Sequence, residues 1–150
     1  MTHDPRAPVV MRALAEPSAI AVARQVATAV ALVAGMDAEG VQDVKVAVTE
    51  AFTNAVRHAY PDSAPGPVTV AAWTTSRAVV LSVRDEGVGV DAGRGHESGV
   101  GMLTMAALAS GLSVRTSERG TELIMAFPAP GAAPAADSAR RVGWASDQGP

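Results

Sequence analysis

The stretch Glu50-Ala51-Phe52-Thr53-Asn54-Ala55-Val56-Arg57-His58 sets polar side chains four residues apart inside an apolar run. At 3.6 residues per turn, Glu50, Asn54 and His58 share one helical face, with Arg57 close to it. Val41, Val44, Val48, Ala51, Phe52, Ala55 and Ala59 recur at helical spacing and predict the buried face. Asp37 suits the N-cap of this helix, and Pro61 with residues 62–67 stops it. An amide oxygen is a hard ligand suited to Mg2+, and a carboxylate one turn away can accept a proton. Arg57 and His58 can face phosphate oxygens. The same spacing also fits an ordinary solvated helix face.

Toward the N-terminus, residues 9–15 fit a short strand. Pro17 then opens a first helix carried by Ile20, Ala23, Ala27, Val30 and Val33 and ending near Gly35. Toward the C-terminus, residues 68–75 and 78–85 are valine-rich and joined by Ser76-Arg77, which predicts a hairpin. Residues 102–110 fit a short helix, and residues 112–117 and 121–127 a second strand pair around Glu118-Arg119-Gly120. Helices followed by hairpin-joined strands predict an α+β two-layer sandwich. Its sheet would be mixed, mostly antiparallel, with helices on one face. A doubly wound fold is disfavoured because strands and helices do not alternate.

Two glycine motifs punctuate the second half. Asp85-Glu86-Gly87-Val88-Gly89 follows a strand, where a carboxylate can accept a hydrogen bond from an exocyclic amine such as that of adenine. The glycines permit close backbone approach. A plain glycine-rich turn is the competing reading. Gly99-Val100-Gly101 opens the helix expected from Met102, and free N–H groups at a helix start suit phosphate. An ordinary helix start fits equally. Between the motifs, residues 90–98 are polar and glycine-containing, as a lid would be, and Arg94 and His96 could add charge. Neither GxGxxG nor GxxxxGK[ST] occurs, so Rossmann and P-loop readings fail.

Composition narrows the classes further. A chain of 150 residues suits one domain, expected over 9–128, with a loose start at 1–8 and a Pro/Ala-rich disordered tail at 129–150. Aromatics are only 3%, against a base-stacking platform. A net charge of −3 gives no electrostatic reason for direct nucleic-acid or anionic-membrane binding. The absence of cysteine excludes disulfides, thiol catalysis and cysteine-held metals. With no long apolar run and no signal-like start, a cytoplasmic protein is the default.

Taken in order, these segments resemble the GHKL (Bergerat) ATP-binding fold shared by gyrases and histidine kinases. Glu50 to His58 looks like its N-box and Asp85-Glu86-Gly87-Val88-Gly89 like its DxGxG box. Gly99-Val100-Gly101-Met102 looks like its second glycine box, and Gly120-Thr121-Glu122 like its closing GT motif. Within that fold the chain is most similar to bacterial anti-sigma-factor serine kinases of the RsbW/SpoIIAB type, above all over Val48 to Tyr60.

The resemblance implies ATP and Mg2+ as cofactors. It makes Glu50 the general base toward a partner serine, and Asn54 the Mg2+ ligand. Asp85 would read the adenine amino group, with Thr121 close by. Gly87 and Gly89 would admit the base, and Gly99, Val100, Gly101 and Met102 would shape the phosphate lid, with Arg57 and His58 in the nucleotide site. Arg24 aligns with a partner-contacting arginine, although a solvated helix residue is the plainer reading of it. The implied partners are a sigma factor and an anti-anti-sigma (STAS-domain) protein, and the implied assembly is a homodimer. Two other functions stay open on the residues alone. One is a nucleotide-loaded module that sequesters a partner without transfer. The other is an ATP hydrolase or a fragment serving a separate phosphohistidine acceptor.

Overall fold

Valine on the strands and alanine on the helices fill the core of this molecule. The structure, a computed structural model, describes residues 7–89 and 99–132. Its elements are β1 (Val9–Leu14), α1 (Pro17–Val33), α2 (Ala38–Asn54), a π-helical turn (Ala55–Ala59), β2 (Pro67–Thr74), β3 (Ala78–Asp85), α3 (Gly99–Leu108), β4 (Gly111–Ser117) and β5 (Gly120–Pro128). The strands form one sheet in the order β1-β2-β3-β5-β4, and each neighbouring pair is antiparallel. This is the expected α+β sandwich with helices on one face, except that the sheet, expected to be mixed, is antiparallel throughout the described residues.

Alternation explains which face is covered. Val70, Val83 and Leu123 lie side by side across β2, β3 and β5, as do Ala72, Leu81 and Met125. All six are buried. Ladder partners project to the same side, so these rows make one apolar surface. Ala23, Ala27 and Ala31 of α1 and Ala47, Ala51 and Phe52 of α2 are buried against it.

The helix ends follow local chemistry. Pro17 occupies the first turn of α1, where its missing N–H costs nothing. At the other end Gly35 has φ +81. Its N–H donates to Leu32 O and that of Met36 to Ala31 O, which closes the helix in a Schellman arrangement. Asp37 caps α2, accepting the Gly40 N–H at 2.8 Å.

Three boundaries differ from the sequence reading. The second helix was expected to run on to Ala59, but α geometry ends at Asn54 and a π turn follows. The third helix starts at Gly99 rather than Met102, so both glycines of that motif lie in its first turn. Residues 129–132, expected in the tail, form a turn instead. There the Ala129 N–H donates to Arg77 O at 2.9 Å and joins the chain to the β2–β3 hairpin. The remaining positions of the expected start and tail lie outside the described residues.

Phe52 is fully buried whereas Leu103 is 72% exposed, so the two separate core from surface. Urea unfolding of Phe52→Ala is expected to show a loss of about 3–5 kcal/mol. Leu103→Ala is expected to stay within about 0.5 kcal/mol of the parent. Equal losses would contradict the packing described.

Candidate nucleotide site

Two sequence-distant strands meet where the site is built. The β3–β5 register pairs Arg84 with Glu122, so Asp85 at the end of β3 lies beside Thr121 at the start of β5. The buried Asp85 carboxylate accepts the Gly87 N–H at 3.0 Å and the Thr121 N–H at 3.1 Å through one oxygen. One side chain thereby links the first glycine motif to the closing Gly120-Thr121 pair. The Thr121 hydroxyl adds a bond to that of Thr116 at 3.3 Å.

Glycine is required at three of these positions for steric reasons. A Cβ on Gly87 would fall 2.0 Å from Ala59 O. A Cβ on Gly120, at φ +128, would fall 2.1 Å from Asp85 O, and one on Gly89, at φ +75, would fall 2.2 Å from Ser117 O. The first motif is therefore pressed between the π turn and the β4–β5 turn. The Val88 N–H donates to Ala59 O at 3.0 Å and fixes that contact.

Tyr60 completes the clamp and was not singled out by the sequence reading. Its hydroxyl donates to Pro67 O at 2.6 Å and accepts the Glu86 N–H at 2.9 Å. Glu86 is also paired with Arg12 of β1 at 3.0 Å. The available signal was that Tyr60, the chain's one tyrosine, directly follows the N-box segment. Burial pushes the Tyr60 phenol above its ordinary value, against the opposing pull of the Glu86 N–H bond.

Glu50 and Asn54 meet the second glycine motif at the start of α3. A Cβ on Gly101 would lie 2.9 Å from Glu50 Oε2 and 3.5 Å from Asn54 Oδ1, so bare backbone sits directly against both side chains. Both are half-buried. Gly99 has open space around it, Val100 is exposed, and Met102 packs on the core. Arg57 and His58 lie exposed on the π turn, whose wider winding ends the four-residue stripe at Asn54. No hydrogen bond among the described residues joins either of them to Glu50 or Asn54. Arg24 is exposed on α1 and takes no part in these bonds. Arg94 and His96 lie outside the described residues.

The histidine kinase-like ATPase domain family matches residues 13–127. The chain belongs to that family. Among its relatives, the serine-protein kinase RsbW of Oceanobacillus iheyensis is 36% identical over 81 residues, 54% of this chain and 51% of RsbW. The anti-sigma F factor of Clostridium acetobutylicum is 33% identical over 100 residues, 58% of this chain and 69% of that protein. The chain thus spans about half the length of the RsbW relative it matches. A Mycobacterium tuberculosis structure holding RsbU and RsbW domains has a TM-score of 0.66 at 22% identity, covering 89% of this chain and 36% of that one. The histidine kinase domain of a blue-light activated kinase from Erythrobacter litoralis has a TM-score of 0.57 at 23% identity, covering 73% and 60%. These two show the shared fold. ATP is the nucleotide that the family implies. Among the described residues no helix is long and apolar enough to cross a membrane.

Desolvation pushes the Asp85 carboxyl above its ordinary value of 3.8, while the N–H bonds from Gly87 and Thr121 pull it down. A group raised on folding contributes stability below its unfolded value and loses it as pH rises through its folded value. An amide keeps an acceptor oxygen there and carries no charge. Asp85→Asn is therefore expected to gain thermal stability over the parent as pH rises from just below 3.8, with the gap constant by neutral pH. Melting curves across that range check it. A gap independent of pH would contradict the stated origin of the shift.

Proposed function

We propose that this ATPase-family chain is an ATP-dependent protein serine kinase and anti-sigma factor. It would phosphorylate a serine of an anti-anti-sigma (STAS-domain) partner and bind a sigma factor. The carrying observation is the Glu50–Asn54 pair held against the bare Gly101 backbone at the start of α3. That arrangement gathers a proton acceptor, an amide oxygen and a helix N-terminus in one place. The names of the relatives, serine-protein kinase and anti-sigma F factor, support the same reading.

In this reading the Asp85 carboxylate accepts the adenine amine, and Gly87 and Gly89 leave room for the base beside it. The first turn of α3, from Gly99 to Met102, receives the phosphates, with Arg57 and His58 placed to approach them. The serine oxygen bonds to the γ-phosphorus as the bond to the β–γ bridging oxygen breaks. ADP leaves, and the Glu50 carboxylate takes the serine proton. Positioning carries most of the catalysis, as in other phosphoryl transfers.

The donor set fits Mg2+ carried on the nucleotide. Asn54 offers one hard oxygen, and the described residues hold no cluster of acids that would make a protein cage. When bound, the ion would neutralise phosphate charge. Arg24 on the outer side of α1 serves partner contact. A homodimer is supported by the exposed Val9, Val10 and Leu14 of edge strand β1.

The test is labelled ATP, Mg2+ and a STAS-domain acceptor, followed as acid-stable phosphoserine. Glu50→Ala is expected to slow transfer by about 10²–10⁴, with ATP affinity largely kept. Transfer at the parent rate would remove Glu50 as base. A stoichiometric ATP complex with no phosphoprotein from the parent would identify a sequestering module instead.

A further inference from the structure

The sheet face opposite the helices carries a charged row of which the nucleotide site uses only Arg12, through its pair with Glu86. Register aligns Arg12, Thr69, Arg84, Glu122 and Arg115 across all five strands. Between β3, β5 and β4 this row borders a cleft of about 280 Å³, joined by Arg119 from the β4–β5 turn. Arg84 and Arg115 stand two strand spacings apart, ~10 Å.

The two acids at this cleft, Asp85 and Glu122, each take hydrogen bonds from neutral donors and keep their own charge. Asp85 turns its carboxylate into the N–H groups of Gly87 and Thr121. Glu122 accepts the Ser82 hydroxyl at 3.2 Å. Among the described residues the one ion pair is Arg12–Glu86, so Arg84, Arg115 and Arg119 form none. Three exposed guanidiniums against two carboxylates leave the cleft lining with an excess of one positive charge, in a chain of net charge −3.

From this geometry we infer that the cleft docks an acidic segment of a partner protein, whose Asp or Glu side chains pair with Arg84, Arg115 and Arg119. Guanidinium forks match carboxylates in a bidentate, planar manner. The cleft is smaller than the ~300–1,000 Å³ typical of pockets that enclose a whole small ligand, and it suits side-chain tips. No aromatic side chain lines it, so bases have nothing to stack on. The cleft shares Asp85, Gly120 and Thr121 with the edge of the nucleotide site, whereas Arg84 and Arg115 stand in the register row on the uncovered face of the sheet.

The test is fluorescence anisotropy of a short labelled peptide of alternating glutamate and alanine, titrated with the full chain at low ionic strength. The parent is expected to bind it. The double variant R84Q/R115Q is expected to bind about tenfold more weakly, with unchanged melting temperature and ATP affinity. R84K/R115K, which keeps the charge, is expected to fall between the two. No binding by the parent would overturn the inference. So would equal binding by R84Q/R115Q, or equal binding of a glutamine-for-glutamate peptide. Displacement of the peptide by a single-stranded RNA oligonucleotide or inorganic phosphate at equal or lower concentration would assign the cleft to anions in general and overturn the acidic-segment reading. None of these outcomes bears on whether Glu50 supports transfer.

Discussion

A single carboxylate oxygen of Asp85 accepts two backbone N–H bonds, and the geometry of the site hangs on them. One donor, Gly87, follows Asp85 by two residues; the other, Thr121, is brought from 36 residues away by the β3–β5 pairing. The carboxylate must be buried to serve both. Burial costs it solvation, which appears as a raised proton affinity, and the two N–H bonds offset only part of that cost.

Around that joint the backbone is packed too closely for side chains. Ala59 O, Asp85 O and Ser117 O each occupy the space where a Cβ of Gly87, Gly120 or Gly89 would stand. Tyr60 and the Arg12–Glu86 pair then hold the first motif from its other side. On the opposite wall Gly101 faces the side-chain ends of Glu50 and Asn54 rather than fixed backbone. Helix α2 presents these two side chains because its remaining faces are committed to α1 and the sheet. Folding and site construction therefore draw on the same contacts.

Much of this was legible in the chain. Period-two valines gave the strands, alanine and valine at helical spacing gave α1 and α2, and Asp37 marked a helix start. The misses have tertiary causes. Ala55 to Ala59 carry an ordinary helical pattern, and nothing local in them signals a π turn whose last carbonyl is taken by Val88. Gly99 and Gly101 are poor helix formers, so propensity places them before α3. Yet Gly101 lies in the first turn of α3, where a Cβ would stand 2.9 Å from the Glu50 carboxylate and force that side chain to shift. Pro130 and Gly131 suggest a tail by composition, while the Ala132 N–H closes a turn on Ala129 O and the Ala129 N–H ties it to Arg77 O. The arginine row becomes visible only once register is known, and the bonds of Tyr60 only once the π turn is set beside β2 and the first glycine motif.

The central proposal is that Asp85, which organises the fold through its N–H bonds, also reads the ligand. Calorimetric titration of ATP into the parent and Asp85→Asn at neutral pH tests it most directly. The amide keeps an acceptor oxygen for Gly87 and Thr121 but loses the negative charge offered to the adenine amine. The account predicts ATP affinity weakened by about 10-fold or more in a variant at least as stable as the parent. ATP affinity equal to that of the parent in the folded variant would contradict it.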